Sequence, residues 1–166
     1  MTSSTSNKNS MKYLFALLAG VIIGAYLFIG TQPRSFPEQD KCGNSCYGAS
    51  ELVGLAGSVG LHLAPGMLPK KVAETERCIA MDDPSPEAAI DIVVIPKKDI
   101  LDIADVAEED VSYVVDCIGM IRTIVRERQL SVYKVITNGQ GLQKVRYLHF
   151  HILADKSFIF RTPLKD

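Results

Sequence analysis

The sequence predicts an α+β fold: one antiparallel sheet with a helix packed across it, preceded by one N-terminal transmembrane helix. Three observations carry this. Within Arg146 to Leu153, the residues from Tyr147 to Ile152 alternate polar and apolar, the period of a half-buried strand. Val111, Val114, Val115, Ile118, Ile121 and Val125 recur at helical spacing. Tyr13 to Gly30 is a stretch of eighteen residues without a charge, about the minimum for a helix that crosses a bilayer.

In chain order, Met1 to Lys12 is polar, with no apolar face, and reads as a disordered tail. Residues 13–30 follow as the span. A cleaved secretory signal is the rival, but Leu27-Phe28-Ile29-Gly30 is too bulky for a small-x-small cleavage site, which favours a retained single-pass anchor. Lys8 and Lys12 before the span, against Arg34 and Lys41 after it, lean to a cytoplasmic N-terminus and an extracytoplasmic domain. Gly20 and Gly24 form a small-residue pair that lets another membrane helix approach closely.

Residues 31–65 read as a linker and a short apolar segment. Cys42 and Cys46 frame a turn that suits either a local disulfide or a plain loop. Gly48 to Pro65 is apolar and rich in small residues, and reads as a short helix or hairpin against the membrane or the domain. His62 within it is incidental.

The folded domain runs from Gly66 to the end. Cys78 to Met81 is a short strand that ends in the Asp82-Asp83-Pro84-Ser85-Pro86 turn. Ala89 to Pro96 is β-branched and reads as a second strand. Ile100 to Val106 is a loop or a turn of helix, and Asp105 or Glu108 to Gln129 is the long helix, acidic at its start and basic near its end. Val132 to Thr137 is a strand, Asn138 to Gly141 a turn, and the alternating stretch follows. Phe158 to Phe160 adds a last short strand.

The bulk numbers exclude some functions. A net charge of −1 argues against a nucleic-acid surface. No second cysteine or histidine pair has zinc-ligand spacing, and no carboxylate cluster suits magnesium; neither metal nor cofactor is expected. Cys78 and Cys117 read as buried small apolar residues.

In the alternating stretch Leu148, Phe150 and Ile152 would face a core, while Tyr147, His149 and His151 would share the other face. Same-face neighbours on a strand lie roughly 7 Å apart, so one phosphate would be near both imidazoles. Read alone, the two histidines are either polar residues on the wet side of a sheet or a phosphate-handling pair, one nucleophile and one donor.

The order of motifs resembles the histidine triad (HIT) superfamily of nucleotide hydrolases and transferases. The resemblance rests on Leu68-Pro69-Lys70-Lys71-Val72, Cys78-Ile79-Ala80-Met81-Asp82-Asp83, Pro84-Ser85-Pro86, Ile92-Val93-Val94-Ile95-Pro96-Lys97-Lys98, then Asn138, Gly141, Gln143 and His149-x-His151. It implies a HIT-like sheet from Gly66 onward. By position, His149 is similar to the nucleophile that forms a covalent nucleotidyl-histidine, and His151 to the residue that helps hold the phosphate and leaving group. Asp83 matches the acid that accepts the ribose hydroxyls, Asn138 a residue at the phosphate end, Gln143 the glutamine before the triad, and Ile79 the wall around the base. The implied ligand is a purine nucleotide or a nucleoside phosphoramidate, and the implied assembly is a homodimer.

Four positions depart from that pattern. The first triad position is Tyr147. Lys144 stands where a small hydroxyl residue is usual, Asp99 where a histidine often follows Pro-Lys-Lys, and Asp91 at another family histidine position. Two functions therefore stand side by side. One is a membrane-anchored nucleotide phosphoramidase or nucleotidyl hydrolase acting through His149. The other is a catalytically degenerate HIT domain that serves as an accessory subunit of a membrane complex.

Overall fold

A computed structural model describes residues 4–34, 49–63 and 70–155. The expected Cys42–Cys46 turn and the strand at Phe158 lie outside the described residues. Helix α1 spans Ser4–Phe28 and α2 spans Ala49–Leu63. The domain then runs β1 (Lys71–Glu74), β2 (Cys78–Asp82), β3 (Ile90–Pro96), two single 3₁₀ turns, α3 (Val111–Glu127), β4 (Lys134–Ile136) and β5 (Phe150–Ala154).

The strands make one five-stranded sheet in the order β1-β2-β3-β5-β4. All neighbours are antiparallel. Strand β3 is central, with Ala80 opposite Val94, and Phe150 and Ile152 opposite Val94 and Ile92. Those side chains share one face and form the main core with Cys117, Met120, Ile121 and Ile124 of α3. The opposite face carries Ile79 and Tyr147, packed with Leu61 of α2. A helix thus lies against each face, which is why β3 is almost wholly buried although only every second residue points to either side.

Several expectations are corrected. Helix α1 begins at Ser4, inside the stretch expected to be a disordered tail. Strand β1 was not expected; it is four residues long, and its half-buried Val72 and Ala73 are too few to show a period. On α3 the expected apolar stripe is half right: Ile121 is buried and Val114 and Val125 pack against the core, but Val111, Val115 and Ile118 are exposed, and the buried face is centred on Cys117, Met120 and Ile124. Two adjacent helical stripes are both apolar there, and spacing alone does not choose between them.

The alternating stretch is strand only from Phe150 onward. Before it, Tyr147 N–H donates to Val145 O at 2.9 Å and Leu148 N–H to the Ile100 carbonyl at 2.6 Å, so the backbone bends instead of pairing along the sheet. Burial alternates only from Leu148 to Ile152, and Tyr147 before it is buried as well. Cys78 and Cys117 are buried as expected, but they are joined as a disulfide with Cα atoms 5.4 Å apart, which ties β2 to α3.

Candidate functional site

The α2 face of the sheet holds a cavity of about 470 Å³. Val53, Gly57 and Leu61, spaced four residues apart on one side of α2, make its apolar roof, and Met81, Val93 and Ile95 line the sheet side. Helix α2 sits this close because residue 54 is glycine: a Cβ there would collide with the Arg146 carbonyl. Arg146 N–H also donates to Ser50 O at 3.1 Å, and its guanidinium lies 3.5 Å from Glu51. The helix is therefore fastened to the loop that leads into the histidines.

His149 and His151 meet at the polar end of this cavity, with ring centroids 5.0 Å apart and edge to face. The Nδ1 of His149 lies 2.6 Å from the Tyr147 carbonyl. A carbonyl only accepts, so Nδ1 carries the proton and Nε2 keeps its lone pair. Burial pushes the His149 imidazole below its ordinary pKa, because an imidazolium would lose its hydration there. The ring is held neutral, in one tautomer.

His151 is held differently. Its Nδ1 is 2.9 Å from Asp91 Oδ1 and 3.5 Å from Asp83 Oδ2. The other Asp91 oxygen accepts from Glu87 N–H at 3.0 Å. Asp83 Oδ1 accepts from Ser85 N–H at 2.7 Å, which fixes the turn after β2. Asp83, Asp91 and His151 place one ligand-type atom each within 4.8 Å of one another. Within that cluster the hydrogen bond is between His151 and Asp91, and Asp83 lies at ion-pair distance from the same ring nitrogen.

The other expected site residues divide. Asp83, Asn138, Lys144, Tyr147, His149 and His151 all line the cavity. Lys144 is at its rim, largely exposed, and pairs with Glu87 at 3.0 Å, which raises its pKa. Tyr147 contributes its ring only. Its hydroxyl donates to the Pro96 carbonyl at 2.9 Å, and burial, with the Asp99 charge, pushes its pKa far up, so it is no donor to a ligand. Gln143 turns away and donates to the Leu101 carbonyl at 3.1 Å. Ile79 is fully buried behind the wall, against Tyr147 and Leu61.

Asp99, one of the unusual positions, is outside the cavity. Its carboxylate takes both oxygens' contacts from Arg34 at 2.7 and 2.9 Å, and it also accepts from Gln32 N–H at 2.9 Å. The segment that follows α1 is thereby clamped to the domain. Asp102 performs a similar local task, accepting from Ala104 N–H at 3.0 Å and from Gln140 N–H, and so pins the turn that presents Asn138. Sequence reasoning missed the roof residues Val53, Gly57 and Leu61. Their four-residue spacing was a usable signal, overshadowed by the overall apolarity of the segment.

The chain matches the HIT domain model over residues 68–158. Protein pkiA of Dictyostelium discoideum is 33% identical over 98 residues, 55% of this chain and 77% of that protein. A HIT-like protein of Chlamydia muridarum is 33% identical over 87 residues, 51% of this chain and 69% of that one. A histidine triad protein from Clostridium difficile superposes with a TM-score of 0.54 at 31% identity, over 65% of this chain and 95% of its own. A HIT family hydrolase from Legionella pneumophila gives 0.52 at 28%, over 57% and 88%. With the fold, the paired histidines and these likenesses in hand, the chain belongs to the HIT family.

Proposed function

We propose that the protein is a membrane-anchored nucleotide-binding HIT protein that cleaves a bond at the α-phosphorus of a purine nucleotide or nucleoside phosphoramidate, through a covalent nucleotidyl-histidine on His149. The observation that carries this reading is the bond from His149 Nδ1–H to the Tyr147 carbonyl, 2.6 Å long, which leaves Nε2 as a neutral nucleophile. The apolar roof suits the base, Asp83 the ribose hydroxyls, and the histidine end with Asn138 and Lys144 the phosphate. The solved HIT structure from Legionella pneumophila is described as a hydrolase, which agrees with this reaction class.

Ser10–Phe28 is apolar and long enough to cross a bilayer, which supports the anchor. The Cys78–Cys117 disulfide supports placing the domain on the oxidising side. Exposed Val111, Val115 and Ile118 on α3 offer a surface for the homodimer or for a membrane-complex subunit.

Tyr147 favours the second reading, a degenerate domain in a membrane complex, because its hydroxyl is spent on Pro96. Turnover of adenosine phosphoramidate by full-length protein in detergent, with His149→Ala as control, separates the two. Turnover that disappears in the variant supports the hydrolase. Nucleotide binding without turnover supports the degenerate domain.

A further inference from the structure

We propose that Asp91 is a positioning residue that holds the imidazole of His151 by its Nδ1–H and so turns Nε2 into the cavity, toward the leaving group. The chemical use of Nε2 rests on the hydrolase reading above; the Asp91–His151 arrangement does not.

The geometry is specific. Strand β3 places Asp91 and Val93 on the same face of the sheet, and Val93 is directly opposite His151. The carboxylate therefore reaches the ring diagonally, at 2.9 Å. Asp91 is only 4% exposed, and its second oxygen is fixed by Glu87 N–H, so it is not free to swing away. A carboxylate accepts and does not donate, which puts a proton on Nδ1 and leaves Nε2 as the ring's other titrating atom. The titratable groups around the ring come from three sides. Asp91 on β3 is nearest, Asp83 after β2 is at 3.5 Å, and His149 stands edge-on in the same segment. Lys144 at the rim is offset by its own partner, Glu87. From β4 the residue opposite His151 is Ile136, which carries no charge, and Lys134 stands two residues away on the same face, opposite Leu153.

The two histidines then have opposite assignments. In the first step His149 Nε2 forms a bond to the α-phosphorus. The phosphorus–nitrogen bond of a phosphoramidate breaks, its electron pair leaves with the nitrogen, and that nitrogen takes the proton from His151 Nε2. The amine departs neutral, and the positive charge passes to the phosphorylated His149 ring, whose Nδ1–H still donates to the Tyr147 carbonyl. In the second step a water oxygen bonds to phosphorus, the bond to His149 breaks with its pair returned to the ring, and His151 Nε2 takes the proton of the water. Both rings return to their starting states.

The chain contains three histidines, so the test is spectroscopic. Full-length protein labelled with ¹⁵N-histidine, in detergent micelles, is titrated and the imidazole nitrogens are followed by NMR, with His62→Gln and His149→Gln used for assignment. The expected result is that His151, in its neutral form, carries its proton on Nδ1. In Asp91→Leu that preference is lost and the neutral ring shows both tautomers, while kcat for adenosine phosphoramidate falls more than KM changes. An Nε2–H tautomer in neutral wild-type His151 overturns the proposal without any variant. So does an unchanged Nδ1–H tautomer in a folded Asp91→Leu. A wild type that shows the predicted tautomer and a variant that loses it, with turnover in neither, contradict the hydrolase reading and leave the Asp91–His151 assignment supported.

Discussion

Asp91 and Asp99 lie within and just beyond β3, at 4% and 3% exposure, and each stands where the HIT pattern often has a histidine. Their partners differ in kind. Asp91 faces an imidazole, whose charge depends on pH. Asp99 faces the guanidinium of Arg34, whose charge is permanent. The first aspartate therefore bears on the proton economy of the cavity. The second has no proton to influence; it fastens the segment after α1 to the sheet. An acid in place of a histidine is informative only once its partner is known, and the two together explain why departures from a family pattern need not mean decay.

The largest expected effect on stability tests the structural member of this pair. Arg34→Ala leaves a buried carboxylate without its counter-charge, and such breaks cost roughly 3–5 kcal/mol. The melting temperature of full-length protein should fall sharply, and Arg34→Met combined with Asp99→Leu should recover most of it. If the single variant melts like the wild type, the clamp carries no stability.

A smaller effect is expected at Tyr147. Tyr147→Phe removes the donor to Pro96 and leaves a buried carbonyl unpaired, a loss of about 1–3 kcal/mol by chemical denaturation. Turnover should persist, because the hydroxyl points away from the ligand. Turnover abolished at unchanged fold would mean that Tyr147 serves the cavity after all.

The pH response separates the two histidines further. His149 has its pKa lowered by burial, so the acid limb of turnover should lie below the ordinary imidazole value of about 6.5. The same shift has a stability sign. Below that ordinary value the unfolded chain takes up a proton that folded His149 resists. Its contribution is thus present above about pH 6.5 and is lost as pH falls through the lowered folded value. A kcat profile whose acid limb lies above that range would contradict a neutral buried nucleophile. The smallest effect belongs to Lys144→Ala. Its pair with Glu87 is exposed and screened by solvent, so stability should hardly change, while KM for a phosphate-bearing ligand rises modestly.

Much of the sheet was legible in the sequence because its signals are local. Cys78–Asp82, Ile90–Pro96 and the burial of Leu148, Phe150 and Ile152 follow from β-branched runs and alternation. The pairing of His149 and His151 was legible for the same reason. What was hidden depends on distant partners. Asp99 finds Arg34 across 65 residues, and no pattern in either neighbourhood announces that bond. Gln143 reaches the Leu101 carbonyl 42 residues away and so leaves the cavity that its motif position suggested. Ile79 lies on the expected face but one layer too deep, because α2 packs over Tyr147 and closes that side. The tyrosine itself looked like a weakened histidine; its real constraint is the Pro96 carbonyl.

The central claim is that His149 Nε2 attacks an α-phosphorus. The most direct measurement is to mix full-length protein with adenosine phosphoramidate, quench in mild alkali, and map any adenylate adduct by mass spectrometry. The account predicts an acid-labile adenylate on His149 that is absent from His149→Ala. An adduct on another residue, or rapid turnover with none formed under single-turnover conditions, would contradict it.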